Sequence, residues 1–195
     1  MATRRRLSGP RRRAQILDVT RRIVVEQGYH AVTFDRVAAE CGVTRTVLYQ
    51  QFDSLPRLLI ALLDREVEHA FAGFRQAVAR PVPAGEDPFT AGLAGVLEAV
   101  DAAPATWRML MLPAEGGPPE LHQRLARARA VTRSHLHKIT GHQDDPELSI
   151  RVLHALADEL VRLRLTDPEH HPVERLLAQS RRIARACLGP SPVRD

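Results

Sequence analysis

The sequence has little of several residue types, and each shortage argues against a class of protein. Only two of the 195 residues are cysteines, Cys41 and Cys187, and they form no C-x-x-C pair, so a disulfide framework is not expected. No apolar run approaches the roughly 20 residues of a membrane-spanning helix, and the first residues lack the apolar core of a signal peptide. We therefore expect a cytoplasmic protein with no membrane partner.

Recognisable catalytic motifs are also missing. The sequence contains no H-E-x-x-H, no glycine-rich phosphate loop and no G-x-S-x-G. It has nine histidines, but the spacings in His135-Leu-His137 and His170-His171 do not place two imidazoles on one helical face. His154 and Asp158 are four residues apart, which favours a solvated or hydrogen-bonded pair over a catalytic one. We predict neither an enzyme nor a metal site, and no cofactor.

Charge is distributed unevenly along the chain. The net charge is +5, yet residues 1–57 contain eleven arginines and five acidic residues, a balance of +6. The remainder contains 17 basic and 18 acidic residues, a balance of −1. A basic amino-terminal part joined to a nearly neutral one is typical of a nucleic-acid-binding domain followed by a domain with a different task.

Residues 33–52 predict two short helices joined by a glycine turn. Thr33 is placed to cap a first helix whose apolar residues recur at i, i+3, i+4 and i+7. Gly42 supplies the turn, because a positive φ strains residues that carry a Cβ. Thr44 is the N-cap candidate of the second helix, which buries Leu48 and Phe52. This pattern predicts a helix-turn-helix.

The opposite side of the second helix carries the functional prediction. Arg45 and Tyr49, and likewise Thr46 and Gln50, are i, i+4 pairs and share one exposed face. Arginine and glutamine side chains form paired hydrogen bonds with base edges in a DNA major groove, whereas hydroxyl groups reach phosphates. The alternative is an ordinary solvated surface. The capped, turn-linked pair of helices favours DNA.

The pattern Thr-x-x-x-Val-Ala-x-x-x-Gly-Val-Thr-x-x-x-Leu-Tyr-x-x-Phe over residues 33–52 resembles the amino-terminal domain of the tetracycline repressor (TetR) family. The resemblance extends over about residues 10–65. It implies an all-α fold, in which a three-helix helix-turn-helix domain precedes a helical domain for ligand binding and dimerisation. It also implies a transcriptional regulator, most simply a repressor that leaves a palindromic operator when a small molecule binds.

The resemblance implies particular contacts with double-stranded DNA. Thr33 and Tyr49 are implied on phosphate, and Arg45, Thr46 and Gln50 near bases. Together with neighbouring polar residues of the motif and the next helix, the predicted DNA-contacting set is Thr33, Arg36, Thr44, Arg45, Thr46, Tyr49, Gln50 and Arg57.

Two positions depart from the family pattern. Leu55 stands where members commonly carry a phosphate-contacting lysine, and we assign that contact to Arg57 instead. Gln51 stands where family members usually carry a histidine before the closing phenylalanine, so we do not expect Gln51 to make the contact implied for that histidine.

We divide the chain into a disordered basic arm at residues 1–10, the helix-turn-helix domain at 11–56, and a regulatory and dimerisation domain at 57–195. The arm contains Arg4-Arg5-Arg6, which either lies in a minor groove or adds only nonspecific attraction to phosphate. The first helix is predicted from about Arg13 to Gln27. A long fourth helix is predicted from the Asp53-Ser54 cap to Pro81, either as a plain connector or as the element that transmits a change between domains.

Proline punctuation predicts five further helices in the second domain. They cover about residues 88–102, 104–112, 120–140, 146–165 and 173–188, with a loop at 113–119. The last two helices are joined by a short loop and carry broad leucine stripes, so they either pair with their copies as a four-helix bundle or pack within one chain. We favour a homodimer whose interface contains Leu153, Leu156, Leu160, Leu176 and Ile183.

A ligand pocket is predicted between the fourth helix and those that follow. Its apolar lining would come from Phe71, Phe74, Trp107 and Met111, and Arg108 with His122 or His135 would offer polar contacts. The alternative is that these residues are ordinary core. The effector is then an apolar or mixed small molecule of unknown identity. A competing function is a constitutive or architectural DNA-binding dimer without an effector.

Overall fold

The computed structural model describes residues 8–111, 119–140 and 145–188. Within these ranges the regular structure is entirely helical, so the all-α prediction is confirmed. A single 3-10 turn, Tyr29–Ala31, lies between the first two α-helices. The α-helices in chain order are α1 (Gly9–Gln27), α2 (Phe34–Cys41), α3 (Arg45–Phe52), α4 (Leu55–Ala79), α5 (Pro88–Ala102), α6 (Pro104–Met111), α7 (Pro119–Thr140), α8 (Pro146–Thr166) and α9 (Val173–Leu188).

Helix α1 begins four residues earlier than predicted. Ser8 is its N-cap residue with an extended backbone (φ −64°, ψ 157°), and Pro10 lies in the first turn, where its missing N–H removes no helical hydrogen bond. Gly9 and Pro10 are therefore helical and do not belong to a disordered arm. Arg4, Arg5 and Arg6 lie outside the described residues.

The two helices of the motif have the predicted local chemistry. The Thr33 hydroxyl accepts a hydrogen bond from the backbone N–H of Arg36, which caps α2. Gly42 adopts the left-handed conformation (φ 63°, ψ 42°), and its N–H together with that of Val43 bonds the last carbonyls of α2. Thr44 occupies the N-cap position of α3, but its side chain makes no capping hydrogen bond, contrary to the prediction.

The chain divides into two compact units, and the division falls inside α4 between Glu66 and Val67. The first unit comprises the described residues of Met1–Glu66 and Pro113–Arg124; the second comprises those of Val67–Leu112 and Leu125–Asp195. The core of the first unit consists of residues that are essentially inaccessible to solvent: Ile16, Ile23, Val37, Leu48, Leu58, Leu62 and Leu63.

An ionic cluster lies beside the core of the first unit. Glu66 of α4 is completely buried, and its Oε1 accepts a hydrogen bond of 2.9 Å from Nε of Arg65. Arg21 of α1 lies 3.8 Å from the other carboxylate oxygen, and Arg65 also bonds Asp18 of α1 at 2.8 Å. A buried carboxylate needs such partners, since an unpaired charge in the core is costly. The cluster therefore ties α4 to α1.

The five predicted helices of the second part of the chain are observed as α5–α9, and four of them begin at a proline. Pro119, predicted in a loop, is instead the first residue of α7. Residues 113–118 of the predicted loop lie outside the described residues. Asp87 caps α5, because its carboxylate accepts from the N–H of Thr90, and Asp145 caps α8 by the same kind of bond to Leu148.

Helices α5, α8 and α9 share the core of the second unit. A buried hydrogen bond of 2.9 Å joins the hydroxyls of Thr90 in α5 and Ser180 in α9. Gly95 of α5 lies directly against α4: a Cβ added there would be 2.7 Å from the Cβ of Ala77. The α4–α5 crossing is therefore possible only with glycine at this position, unless the helices move apart.

Several residues predicted for the dimer interface occupy this intrachain core. Leu153, Leu160 and Leu176 are at most 5% exposed and pack among α5, α8 and α9, so they have no surface to offer a second chain. Leu156 and Ile183 are only partly buried. Leucines that the sequence predicts as one broad stripe are thus divided between an inner and an outer face, because α9 packs against α5 as well as α8.

No helix in the described ranges has an apolar stretch long enough to cross a membrane.

Candidate nucleic-acid interface and ligand cavity

Helix α3 presents a continuous polar face. Its buried side is formed by Leu48 and Phe52, which are at most 3% exposed. Arg45, Thr46 and Gln50 are exposed on the other side, and Tyr49 is 44% exposed. One side of α3 thus anchors the helix in the core, and the other side exposes groups that can form hydrogen bonds with base edges and phosphates of DNA.

The guanidinium of Arg45 is held in place from two sides. Its NH1 lies 3.3 Å from each carboxylate oxygen of Asp35 in α2, and its NH2 donates to the Tyr49 hydroxyl at 3.1 Å. Hydrogen bonding to Tyr49 and the charge of Asp35 raise the pKa of Arg45 above its usual value. The Tyr49 ring is itself fixed edge-on against Phe34, with 4.9 Å between ring centres. Asp35 was not among the residues predicted from the sequence.

The guanidinium of Arg36, also predicted to contact DNA, is engaged within the protein. Its Nε donates to Glu40 at 3.0 Å and its NH1 donates to Gln27 at 2.7 Å. Arg22 of α1 donates to the other oxygen of Glu40 at 2.7 Å. Hydrogen bonds from Arg22 and then Arg36 lower the pKa of the Glu40 carboxyl. Arg36 therefore braces α2 against α1, with part of its side chain still at the surface.

The remaining residues predicted to contact DNA differ in whether they already make hydrogen bonds within the protein. Thr33 is exposed but uses its hydroxyl as the α2 cap, and Thr44 is exposed without a capping bond. Arg57 is exposed at the start of α4, where its N–H bonds the Ser54 hydroxyl at 3.4 Å. The backbone carbonyl of Gln51 accepts a hydrogen bond of 2.5 Å from Arg13, which ties α3 to α1.

A cavity of about 130 Å³ lies within the second unit. Helices α4, α5 and α6 supply apolar walls, among them Phe71, Phe74, Leu93 and Trp107. Helices α7 and α8 close it from the other side. A small apolar cavity with a few polar groups is the usual form of a site for a small molecule.

The structure places Phe71, Phe74, Trp107 and Met111 around this cavity, where the sequence led us to expect a pocket. Two of the predicted polar residues are located elsewhere. Arg108 points to α8 and donates to the carbonyl oxygen of Leu165 at 3.2 Å. His122 is exposed on α7 and does not line the cavity. Neither position could be resolved from sequence, because both depend on how α6 and α7 pack.

The polar lining residues are instead Arg129, Thr132, His135, His154 and Asp158. The sequence predicted a solvated or hydrogen-bonded pair of His154 and Asp158; His154 is only 9% exposed, so the solvated alternative does not hold for the histidine, and its Nδ1 lies 3.7 Å from the Asp158 carboxylate. The i, i+4 spacing of these two residues was the signal in the sequence; the burial of His154 was not predictable from it. In the described ranges no cluster of three or more histidine, cysteine or carboxylate side chains could hold a metal ion.

The fold and the exposed α3 face define a helical protein with an amino-terminal helix-turn-helix. Residues 16–62 match the family described as "Bacterial regulatory proteins, tetR family". The HTH-type transcriptional activator FasR of Mycolicibacterium smegmatis is 41% identical over 73 residues, which cover 37% of this chain and 33% of FasR. The match spans about a third of the length of the curated relatives.

Solved structures share the whole fold. A TetR-like transcriptional regulator from Rhodococcus sp. RHA1 superposes with a TM-score of 0.71 at 20% identity, covering 94% of this chain and all of that one. FadR from Bacillus subtilis, solved in complex with stearoyl-CoA, gives 0.68 at 17% identity and covers 91% of this chain and 98% of FadR. At these identities the likeness establishes the fold alone.

The amino-terminal part of the chain, residues 16–62, therefore resembles the TetR family in sequence, and the whole chain shares the fold of TetR-like regulators. The curated relatives FasR and UidR are transcription regulators, which agrees with the prediction of a non-enzymatic protein.

Proposed function

We propose that this protein is a DNA-binding transcriptional regulator in the cytoplasm that recognises its operator with α3. The observation that supports this most directly is the exposed face of Arg45, Thr46, Tyr49 and Gln50 on a helix whose other side is anchored in the core. The surplus of positive charge in residues 1–57 provides the attraction to phosphate that such binding requires.

The protein acts as a homodimer on a palindromic site. One helix of eight residues contacts few base pairs, whereas two recognition helices about one DNA turn apart read enough sequence for specificity. Large apolar side chains on the outer side of α8 support pairing with a second copy: Leu148 is 57% exposed and Val152 is 41% exposed. The partly buried Leu156 and Ile183 remain members of this proposed interface.

A small molecule in the cavity of the second unit releases the protein from its operator. The apolar walls of the cavity support this role, and FadR, whose fold is shared, was solved with stearoyl-CoA. Release requires that the ligand bind the conformation with low DNA affinity more tightly than the other. In this proposal the protein represses transcription when the cavity is empty.

The test is fluorescence anisotropy of the full chain with labelled DNA from upstream of its own gene and with shuffled DNA of the same composition, each at two salt concentrations. We expect tighter binding to the upstream DNA and affinity for both DNAs that falls with salt. Equal binding to both would favour the constitutive or architectural dimer. Absence of binding to either would contradict the DNA-binding assignment itself.

A further inference from the structure

The cavity of the second unit has an apolar side and a polar side, which are formed by different helices. The walls from α4, α5 and α6 are aliphatic or aromatic, and the indole N–H of Trp107 is their one polar side-chain group among the described lining residues. All other polar lining side chains belong to α7 and α8. A molecule that fills this cavity well is therefore apolar over most of its surface and carries a polar group at one edge.

His154 of α8 is the most buried of the polar lining residues. It is 9% exposed, and its Nε2 atom has no hydrogen-bond partner among the described residues. A buried polar atom without a partner costs free energy, so nearly all such atoms in folded proteins are satisfied. A ligand that satisfied Nε2 would recover this cost on binding.

Asp158, one turn further along α8, determines what kind of partner Nε2 needs. Its Oδ2 lies 3.7 Å from Nδ1 of His154, and the carboxylate lies on the same face of the helix. A carboxylate that faces Nδ1 favours a proton on that nitrogen, and in the neutral imidazole with its proton there Nε2 keeps its lone pair. In that tautomer Nε2 is an acceptor, and its partner must be a donor.

The other polar groups do not favour an anion inside the cavity. Burial lowers the pKa of His135, which makes this imidazole neutral at pH 7, and its ring stacks edge-on against Phe74 at 5.6 Å. Arg129 lines the cavity but is exposed, so water solvates its charge. A carboxylate next to His154 would face the lone pair of Nε2 and the negative charge of Asp158.

We infer that the cavity binds an uncharged, largely apolar molecule with a hydroxyl group, and that this hydroxyl donates a hydrogen bond to Nε2 of His154. The inference specifies the ligand class for the effector site of the proposed function and rests on that function for its regulatory meaning. Nε2 is closed off in the structure, so the imidazole rotates slightly about its Cβ–Cγ bond to meet the hydroxyl, while Nδ1 stays on the side of Asp158. This torsion is broad and permits the movement at low cost.

The test uses the full chain and three probes of similar size: 4-butylphenol, its methyl ether 4-butylanisole, and 4-butylbenzoate. Trp107 is the single tryptophan of the chain and lines the cavity, so its fluorescence reports occupancy without DNA. We expect the phenol to bind roughly five- to tenfold more tightly than the ether, the difference made by one net hydrogen bond. Tightest binding by the benzoate, equal binding of phenol and ether, or no binding by any probe would overturn the inference.

Variants test whether His154 is the residue that causes the preference for the phenol over the ether. His154→Phe keeps an aromatic ring but removes the acceptor, so phenol and ether should then bind about equally. His154→Gln retains an acceptor oxygen and should keep part of the preference, which guards against a variant that merely folds poorly. His137→Phe makes the same exchange at an exposed position of α7 outside the cavity and should leave the preference unchanged. A preference that survives in His154→Phe would contradict the assigned contact.

These results are independent of the DNA experiment. Loss of the phenol preference with intact operator binding would reject the ligand class and leave the regulator proposal standing. Preference for the phenol without specific DNA binding would reject the regulator proposal and leave the ligand contact in place.

Discussion

NH1 of Arg45 lies 3.3 Å from both carboxylate oxygens of Asp35, so an acidic residue of α2 holds the first residue of α3, the proposed recognition helix. Both side chains are largely exposed, and an ion pair of this kind contributes little to stability. The ion pair instead orients the side chain of Arg45. Because NH2 also donates a hydrogen bond to the Tyr49 hydroxyl, the guanidinium plane is fixed, and its remaining N–H groups stay available for DNA. A side chain that is already ordered loses less conformational entropy when it binds.

Asp35→Ala should lower site discrimination. Arg45 would then have to be ordered at the moment of binding, and we expect the ratio of specific to shuffled-DNA affinity to fall roughly fivefold, about 1 kcal/mol. The removed negative charge should at the same time raise affinity for shuffled DNA. Anisotropy titrations on both DNAs measure the two effects. Glu26→Ala removes an exposed acid from α1 and should leave the ratio unchanged; an unchanged ratio in Asp35→Ala would show that Asp35 does not position Arg45.

Gln50→Ala and Tyr49→Phe should affect DNA binding differently. Gln50 is exposed on the α3 face, and loss of its amide should cost about 1–3 kcal/mol at particular base pairs and relax the preference there. Tyr49→Phe keeps the ring against Phe34 but removes the hydroxyl, so it should weaken binding at all sites about alike. Titration against operators with single base-pair changes measures both. If Gln50→Ala leaves the base preferences intact, the assignment of the reading face is wrong.

Tyr29 should make stability fall at alkaline pH. Burial, and then the charge of Glu66, raises its pKa to about 12 in the folded chain, against about 10 unfolded. Between these two pH values Tyr29 ionises only in the unfolded state. The contribution of Tyr29 to the free energy of unfolding is therefore fully present below pH 10 and is lost as the pH rises to 12. The expected loss is about 3 kcal/mol.

The matched variants separate this residue from general alkaline effects. The Tyr29 hydroxyl is buried without a hydrogen-bond partner among the described residues, so Tyr29→Phe should leave stability at pH 7 unchanged or slightly higher and reduce the alkaline loss. Tyr49→Phe should keep the wild-type loss. Urea denaturation at pH 8, 10 and 11.5 measures the difference, and parallel curves for wild type and Tyr29→Phe would rule out this origin.

Gly95→Ala should destabilise the second unit, although alanine is the better helix former. The new Cβ would lie 2.7 Å from the Cβ and 2.8 Å from the Cα of Ala77, which forces α4 and α5 apart. We expect a cost of about 1–3 kcal/mol. Gly92→Ala in the same helix meets only Val78 at 3.9 Å and should be neutral or stabilising by up to about 1 kcal/mol. Thermal unfolding compares the pair; equal midpoints would contradict the close helix crossing.

Local features of the fold followed from local sequence. The α2 cap at Thr33 and the left-handed turn at Gly42 depend on residues within one helical turn, and the structure has both. The start of α1 was misplaced because Pro10 was assigned to the basic arm, although proline is favoured in a first helical turn. The same rule had correctly placed the prolines that begin α5 and α6.

The composition of the candidate sites was predictable in part. The exposed face of α3 follows from its period, since the residues opposite Leu48 and Phe52 must point outward. Asp35 was missed because it belongs to another helix, and only the turn at Gly42 brings it within reach of Arg45. In the cavity, aromatic residues were anticipated, whereas Arg108 was misassigned because its partner, Leu165, is 57 positions away.

The sequence by itself determined the helices, the exposed polar face of α3 and the resemblance of the amino-terminal domain to the TetR family, because each depends on periodicity, capping and spacing within a few turns. Only the tertiary structure decided which leucines of α8 and α9 are core, that His154 is buried beside a cavity, and that Asp35 holds Arg45. These features depend on contacts between helices distant in the chain, and a side chain's neighbours across such a contact are not encoded in the period of its own helix.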